Sequence, residues 1–258
     1  MALTTSQPTR SPSGAPARRG TGTRATRVLG VAVILGIAWL VLFGLFISPE
    51  DAVQGESVRI LYVHVPSAWL AYLAFVVTAV SSAAYLWRRT RSLTWDRLAA
   101  ASAEVGVLFM AITLVTGSLW GRITWGTFWT WDARLTTTAF LFVTYVGYLA
   151  VRGLGGSHEQ RARRSAVLAL LAVLQIPLVH LSVELWNSLH QEASVLDSGG
   201  DVQMDGLMLF TLLIGVVAFT LLYVWLVLHR QRVLMMQDAL DDHGLDIALE
   251  QRRGEGAL

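Results

Sequence analysis

A chain of 258 residues that is 54% hydrophobic, only 15% charged and +0.52 in mean hydropathy does not describe a water-soluble globular domain. Its formal net charge of +2 gives no nucleic-acid signal, because the basic residues are spread over separate segments instead of forming one patch. Runs such as "VLALLAVLQIPLV" lack the apolar/polar alternation of a transmembrane barrel strand, so the predicted class is all-α, a polytopic integral membrane protein.

In chain order, residues 1–26 are rich in Pro, Ser, Thr, Gly and Arg and read as a disordered basic arm. Six apolar segments follow at 28–47, 65–87, 98–119, 134–151, 165–186 and 206–228, each long enough to cross a hydrocarbon core of ~30 Å. The first is longer than a signal peptide's apolar region and no clear small-residue cleavage site follows, so it reads as an uncleaved anchor. The membrane domain therefore covers 27–230. The tail at 231–258 alternates acidic and basic residues and reads as a short helix that frays. No internal repeat and no second domain is evident.

Arginine supplies all 20 basic residues, and it is distributed unevenly. Seventeen arginines lie before the first span, between spans two and three, between four and five, and after six; the remaining connections hold only Arg59, Arg122 and Arg134. By the positive-inside rule both termini are expected in the cytoplasm, and the connections after spans one, three and five on the outer face.

One of those outer connections, "LWGRITWGTFWTWDARLT" at 119–136, concentrates Trp120, Trp125, Phe128, Trp129 and Trp131 and ends them on Asp132. Tryptophan in such a place either anchors helix ends at the membrane interface or presents flat apolar surface to something flat. Asp132 has an ordinary use too, as the N-cap of the fourth span.

Histidine narrows the choice. His158, His229 and His243 fall among the arginines on the inner side. His180 lies within span five, four residues before Glu184, so the two share a helix face, either as a packed hydrogen-bonded pair or as a functional one. His64, in "LYVHVPSAW", precedes Pro66 and is placed at the outer start of span two. His190, in "ELWNSLHQEAS", comes just after span five. Each alone reads as an interfacial polar residue; together, flanking an aromatic loop, they suit two axial imidazoles.

The chain has no cysteine, so no disulfide, thiolate-held metal or thioether-linked haem is available. Non-covalent haem fits the remaining groups: tryptophan faces for the macrocycle, imidazole nitrogen for the iron, and Arg59, Arg122 or Arg134 for the propionates, unless those arginines only snorkel to headgroups. A bare zinc ion would ask for a third ligand and has no use for four tryptophans.

"WGTFWTWDARLT" resembles the tryptophan-rich signature of haem-handling proteins of cytochrome c maturation, and "YVHVPSAW", "WNSLHQ" and "LVTGSLWG" resemble motifs of the haem exporter protein C family. The resemblance covers residues 27 to 230. It implies haem b held non-covalently at the outer face of a bacterial cytoplasmic membrane, with His64 and His190 as axial ligands and Trp120, Trp125, Trp129, Trp131 and Asp132 in the loop. It also implies delivery to a membrane-tethered haem chaperone, beside the ATP-binding and membrane subunits of an ABC-type transporter and a small membrane accessory subunit. The long N-terminal arm departs from the compact pattern of the family.

Other classes fit less well. A haem-b electron-transfer subunit would carry histidine pairs within its spans, and only His180 lies mid-span. A secondary transporter would show repeated halves or several embedded charges. A larger haem lyase or synthase shares the tryptophan signature but is longer, with a large outer domain. The chain lacks lysine, so it cannot carry a P-loop, and no catalytic set is visible.

Overall fold

The computed structural model describes residues 21–190 and 204–255. Most of the expected arm, together with residues 191–203 and 256–258, lies outside them. The elements are α1 (Arg24–Leu42), α2 (Leu61–Leu86), α3 (Leu93–Thr124), α4 (Ala133–Gly153), α5 (His158–Ala172), α6 (Gln175–Leu185) and α7 (Gly206–Glu255). Six helical segments are long and apolar enough to cross a membrane, and each expected span lies on one of them.

Helix boundaries follow local chemistry. Thr23 caps α1 in a reciprocal box with Thr26, Ser92 caps α3 and Ser157 caps α5, each supplying an acceptor to a backbone N–H that has no partner inside the helix. α2 starts five residues before Pro66, after a 3-10 turn at Glu56–Ile60, so His64 sits inside its first turns instead of at its mouth. The fifth span is not one helix. It breaks between Ala172 and Gln175 because Pro177 has no N–H to give to Val173 four residues back; the Val173 carbonyl instead accepts from Ile176 at 3.0 Å.

The centre of the molecule is the α2–α3 pair. α3 carries a buried run of small residues, Ala99, Ala100, Ala101, Ser102 and Ala103, and sets Ser102 and Gly106 against Ala74 and Phe75 of α2. Small side chains let helix backbones approach closely, the main source of packing energy where no water is displaced. A Cβ on Gly106 would lie 2.6 Å from the Phe75 ring, so only glycine fits there. Phe75 in turn stacks on Tyr145 of α4 at 3.6 Å between centroids. Ser102 links three helices, donating to Ala74 O at 2.7 Å and bonding the Tyr223 hydroxyl of α7 at 2.6 Å. α1 packs on α7, and α4 packs on α5 and α6.

Charged pairs mark the end opposite the Trp-rich loop. Arg152 grips Asp96 through both carboxylate oxygens at 2.6 and 2.9 Å, tying the end of α4 to the start of α3. Arg97 and Arg161 both reach Asp238 of α7, and Arg230 pairs with Glu104. The helix expected in the tail is not separate: α7 runs through it without a break, since the tail contains no proline.

His180 and Glu184 share a face of α6 as expected, but that face is exposed. The helix buries Val179 and Ser182 on its other side, and no hydrogen bond or ion pair joins His180 to Glu184.

Candidate functional site

Both histidines contact the C-terminal end of α3. His64 reaches them from α2: its ring meets Trp120 edge to face at 5.7 Å, and its Nδ1 lies 3.0 Å from Thr116 Oγ1. The Thr116 hydroxyl has one hydrogen and gives it to the Ile112 carbonyl at 2.7 Å, so toward His64 it accepts. Nδ1 therefore carries the imidazole proton, and Nε2 keeps the lone pair that a metal takes. A hydrogen bond on the far nitrogen is the usual way proteins fix the orientation and basicity of a ligating histidine. Gly117 makes room for the ring, because a Cβ there would stand 3.0 Å from His64 Cε1.

His190 meets the same end of α3 from the segment after α6. Its ring meets Trp125, which caps the C-terminus of α3, at 6.4 Å and 63°. The sequence thus brings His64 and His190 to one end of the bundle through different tryptophans of the same segment.

Asp132 does more than cap. One carboxylate oxygen accepts Arg134 N at 3.0 Å, starting α4, and also the Ser188 hydroxyl at 2.9 Å; the other accepts Leu189 N at 2.8 Å. Ser188 Oγ then accepts His190 N at 3.1 Å. The buried carboxylate therefore staples the end of the tryptophan loop to the segment carrying His190.

The other aromatics form the rim. Trp129 and Trp131 meet edge to face at 6.0 Å, and Trp131 is 86% exposed, Phe128 56% and Trp186 51%. Beside them a shallow cleft of about 360 Å³ is lined by Thr130, Trp131, Asp132, Asn187, Ser188 and Leu189. Such a patch of exposed rings next to two imidazoles offers flat apolar surface to a ligand or partner.

The three arginines separate by what they hold. Arg59 pairs with Glu56 and donates to Gly44 O at 3.0 Å and Ser48 O at 3.1 Å, closing the end of the first span. Arg134 donates to Ser182 Oγ at 3.1 Å and His180 O at 2.9 Å, holding α6 against α4. Arg122 is exposed, lies 5.6 Å over the Phe128 ring and donates to Gly126 O. It alone of the three points its guanidinium into the tryptophan loop.

Thr116, Gly117, Ser188 and Gln54 are the residues that sequence reasoning did not single out. Thr116 and Gly117 lie in "LVTGSLWG", one helical turn before Trp120, and that spacing was readable. Gln54, which accepts the Trp120 indole N–H at 2.7 Å from the connection before α2, left no sequence signal.

Among the described residues, His158, Asp238 and Asp241 also gather within metal-ligand distance, at the opposite end. Arg97 and Arg161 already occupy Asp238, so that cluster is an ion-pair network in which a cation would meet two guanidiniums.

If Thr116 sets the tautomer of a ligating His64, Thr116→Val, which keeps the shape and removes the acceptor, is expected to weaken metal-centre affinity about 10–100-fold. Titration of the purified variant with haem checks it; wild-type affinity would assign Thr116 to packing alone.

Residues 15–244 match the family described as Heme exporter protein C. A protein of that name from Bradyrhizobium diazoefficiens is 41% identical over 197 residues, covering 75% of this chain and 73% of its own. The Heme exporter protein C of Haemophilus influenzae is 38% identical over 212 residues (80% and 82%), and that of Escherichia coli K12 35% over 205 residues (79% and 80%).

Proposed function

The chain belongs to the heme exporter protein C family, a multi-span membrane family of haem export and cytochrome c biogenesis, and we propose that it presents haem b between His64 and His190 for delivery. The family is one of transport and biogenesis rather than catalysis. The observation that carries the reading is the histidine geometry: Thr116 leaves Nε2 of His64 with its lone pair, and His190 faces the same segment of α3.

In this reading haem is cargo, and its iron supplies the two axial positions that imidazoles fill. Trp120 and Trp125 hold the two rings, Asp132 fixes the approach of His190, and the exposed Phe128 and Trp131, with the half-buried Trp129, line the edge from which haem leaves. Arg122 is the propionate partner, since its guanidinium is exposed beside Phe128 in the tryptophan loop, whereas those of Arg59 and Arg134 tie helices of the bundle together. The recipient is a membrane-tethered haem chaperone. Any ATP-driven step belongs to the partner ABC subunits, as this chain has no P-loop lysine.

The site is assigned to the outer face of a bacterial cytoplasmic membrane because the opposite end carries most of the arginines. Reporter fusions after Arg88 and Arg161 are expected to read cytoplasmic and one after Thr127 external. An external reading at Arg161 would put the site on the inner face and end the proposal.

Delivery is tested through the rim. Aromatic contacts contribute about 0.5–1.5 kcal/mol each beyond area burial, too little for one of them to empty a site held by two imidazoles. Trp125→Ala and Trp129→Ala are each expected to retain detectable haem while capturing less chaperone and yielding less cytochrome c. Unchanged capture and yield with both tryptophans removed would make the loop an interfacial belt.

A further inference from the structure

The last part of α7 is a helix without a partner. Every described residue from Asp241 to Arg253 is exposed, over a length of about 18 Å at 1.5 Å per residue. It extends α7 without tertiary packing of its own, and tertiary packing is the main source of helix stability in proteins, so this segment gains from being covered. Its surface is not neutral. Asp238, Asp242, Asp246 and Glu250 recur every four residues and form one acidic ridge along the helix, and like charges at that spacing repel.

The foot of the ridge shows what the ridge binds. Asp238 takes two guanidiniums, from Arg97 of α3 and Arg161 of α5, and His158 lies within 3.7 Å of Asp242. Asp246 and Glu250 form no ion pair among the described residues, and the helix's own Arg252 and Arg253 come only after the ridge.

A source of arginine leaves the bundle beside the foot. Thr21, where the described chain begins, bonds His229 Nδ1 through its hydroxyl at 2.8 Å, and its carbonyl accepts from Arg232. Trp225 donates to Thr26 O at 3.1 Å, so the start of α1 is held against α7 just below the ridge. The 20 residues before Thr21 contain Arg10, Arg18 and Arg19 and no acidic residue. From Thr21 to Arg10 the chain spans up to about 37 Å, and from Arg232 to Glu250 the helix rises about 27 Å. Three extended residues span about 11 Å and Asp242 stands about 15 Å above Arg232, so Arg18 reaches Asp242 with its side chain extended, Arg19 reaches the foot at Asp238, and Arg10 reaches the level of Asp246 and Glu250.

We propose that residues 1–20 of this chain dock along the acidic ridge of α7, with Arg10, Arg18 and Arg19 pairing its carboxylates. The arm thereby has a role as a cover for the helix that projects from the inner end of the bundle. An anionic membrane surface is the competing partner for the arginines, but the ridge is tethered to them and the lipid is not. This inference is independent of the haem site.

The absence of native cysteine gives a clean test. The full chain carrying Ser13→Cys and His243→Cys, reconstituted in phosphatidylcholine vesicles with and without phosphatidylglycerol, is oxidised and scored for disulfide. Expected is an intrachain disulfide several-fold above that of a Ser13→Cys, Arg89→Cys control, falling to the control level in high salt or when Arg10, Arg18 and Arg19 are changed to glutamine. A disulfide no greater than the control overturns the proposal. An interchain disulfide overturns it in favour of a second copy, and a signal confined to vesicles without anionic lipid overturns it in favour of the lipid surface. Haem content is expected to be unchanged in all of these variants, so failure here leaves the haem reading standing.

Discussion

Alanine at His64 or His190 is expected to convert a six-coordinate, low-spin haem into a five-coordinate one, with lower occupancy and a cytochrome c yield near background. Each change removes an iron ligand outright, so its effect exceeds the about 10–100-fold that losing an outer partner such as Thr116 costs. The two are not equivalent. His64 stands inside α2 with its ring held by Thr116 and Trp120, whereas His190 lies beyond the end of α6 and depends on the Asp132 staple. His64→Ala is therefore expected to be the more damaging. His180→Ala is the internal control: that side chain is on the exposed face of α6 and its loss spares the spectrum. Absorption spectra and haem-to-protein ratios of the purified variants decide the matter. Wild-type spectra from both His64→Ala and His190→Ala would remove the ligand assignment.

The second large effect is expected at Asp132. Its carboxylate caps α4 and holds Ser188 and Leu189 at once, so alanine loses a cap worth about 0.5–2 kcal/mol and leaves the Leu189 N–H without its acceptor, at about 1–3 kcal/mol if that group stays buried. The six spans are packed by other contacts and are expected to remain, while the His190 segment detaches. Asp132→Ala should thus mimic His190→Ala in its spectrum without mimicking His64→Ala. Asp132→Asn keeps one acceptor and is expected to fall between, and Ser188→Ala, which removes a single bond, to stay near wild type. Occupancy in the order Ser188→Ala, Asp132→Asn, Asp132→Ala checks the staple. A wild-type spectrum from Asp132→Ala would reduce the residue to a helix cap.

The spans were legible because each is a long apolar run: expected span one ends with the π-helical turn Phe43–Ile47 that extends α1, expected span four lies within α4, and expected span six starts with α7. The break in span five was less legible although Pro177 was in plain view. A mid-helix proline either kinks or interrupts, and which one follows depends on whether the carbonyl four residues back finds another donor, as Val173 does in Ile176. The start of α2 was misplaced for a related reason: Pro66 suits a helix start, yet the 3-10 turn at Glu56–Ile60 lets the helix begin earlier and carry His64 inside.

Of the candidate site, residue types and their common end of the bundle were readable from topology, since charge distribution and span count put both histidines and the loop together. Their mutual arrangement was not. Nothing in the sequence says that Thr116 donates to Ile112 and so must accept from His64, or that Asp132 reaches across to Ser188. Three outer arginines looked alike in sequence, and only packing distinguishes Arg122, exposed within the tryptophan loop, from Arg59 and Arg134, whose guanidiniums tie helices of the bundle together.

The most direct test of the central claim counts the nitrogens on the iron. Protein grown with nitrogen-15 histidine and purified with its haem is oxidised, and pulsed electron paramagnetic resonance reads the couplings of labelled nitrogen at the ferric centre. Two labelled imidazoles are predicted in the wild type and one in His190→Ala. A wild-type centre coupled to one labelled imidazole or to none would contradict the assignment of His64 and His190 as its ligands.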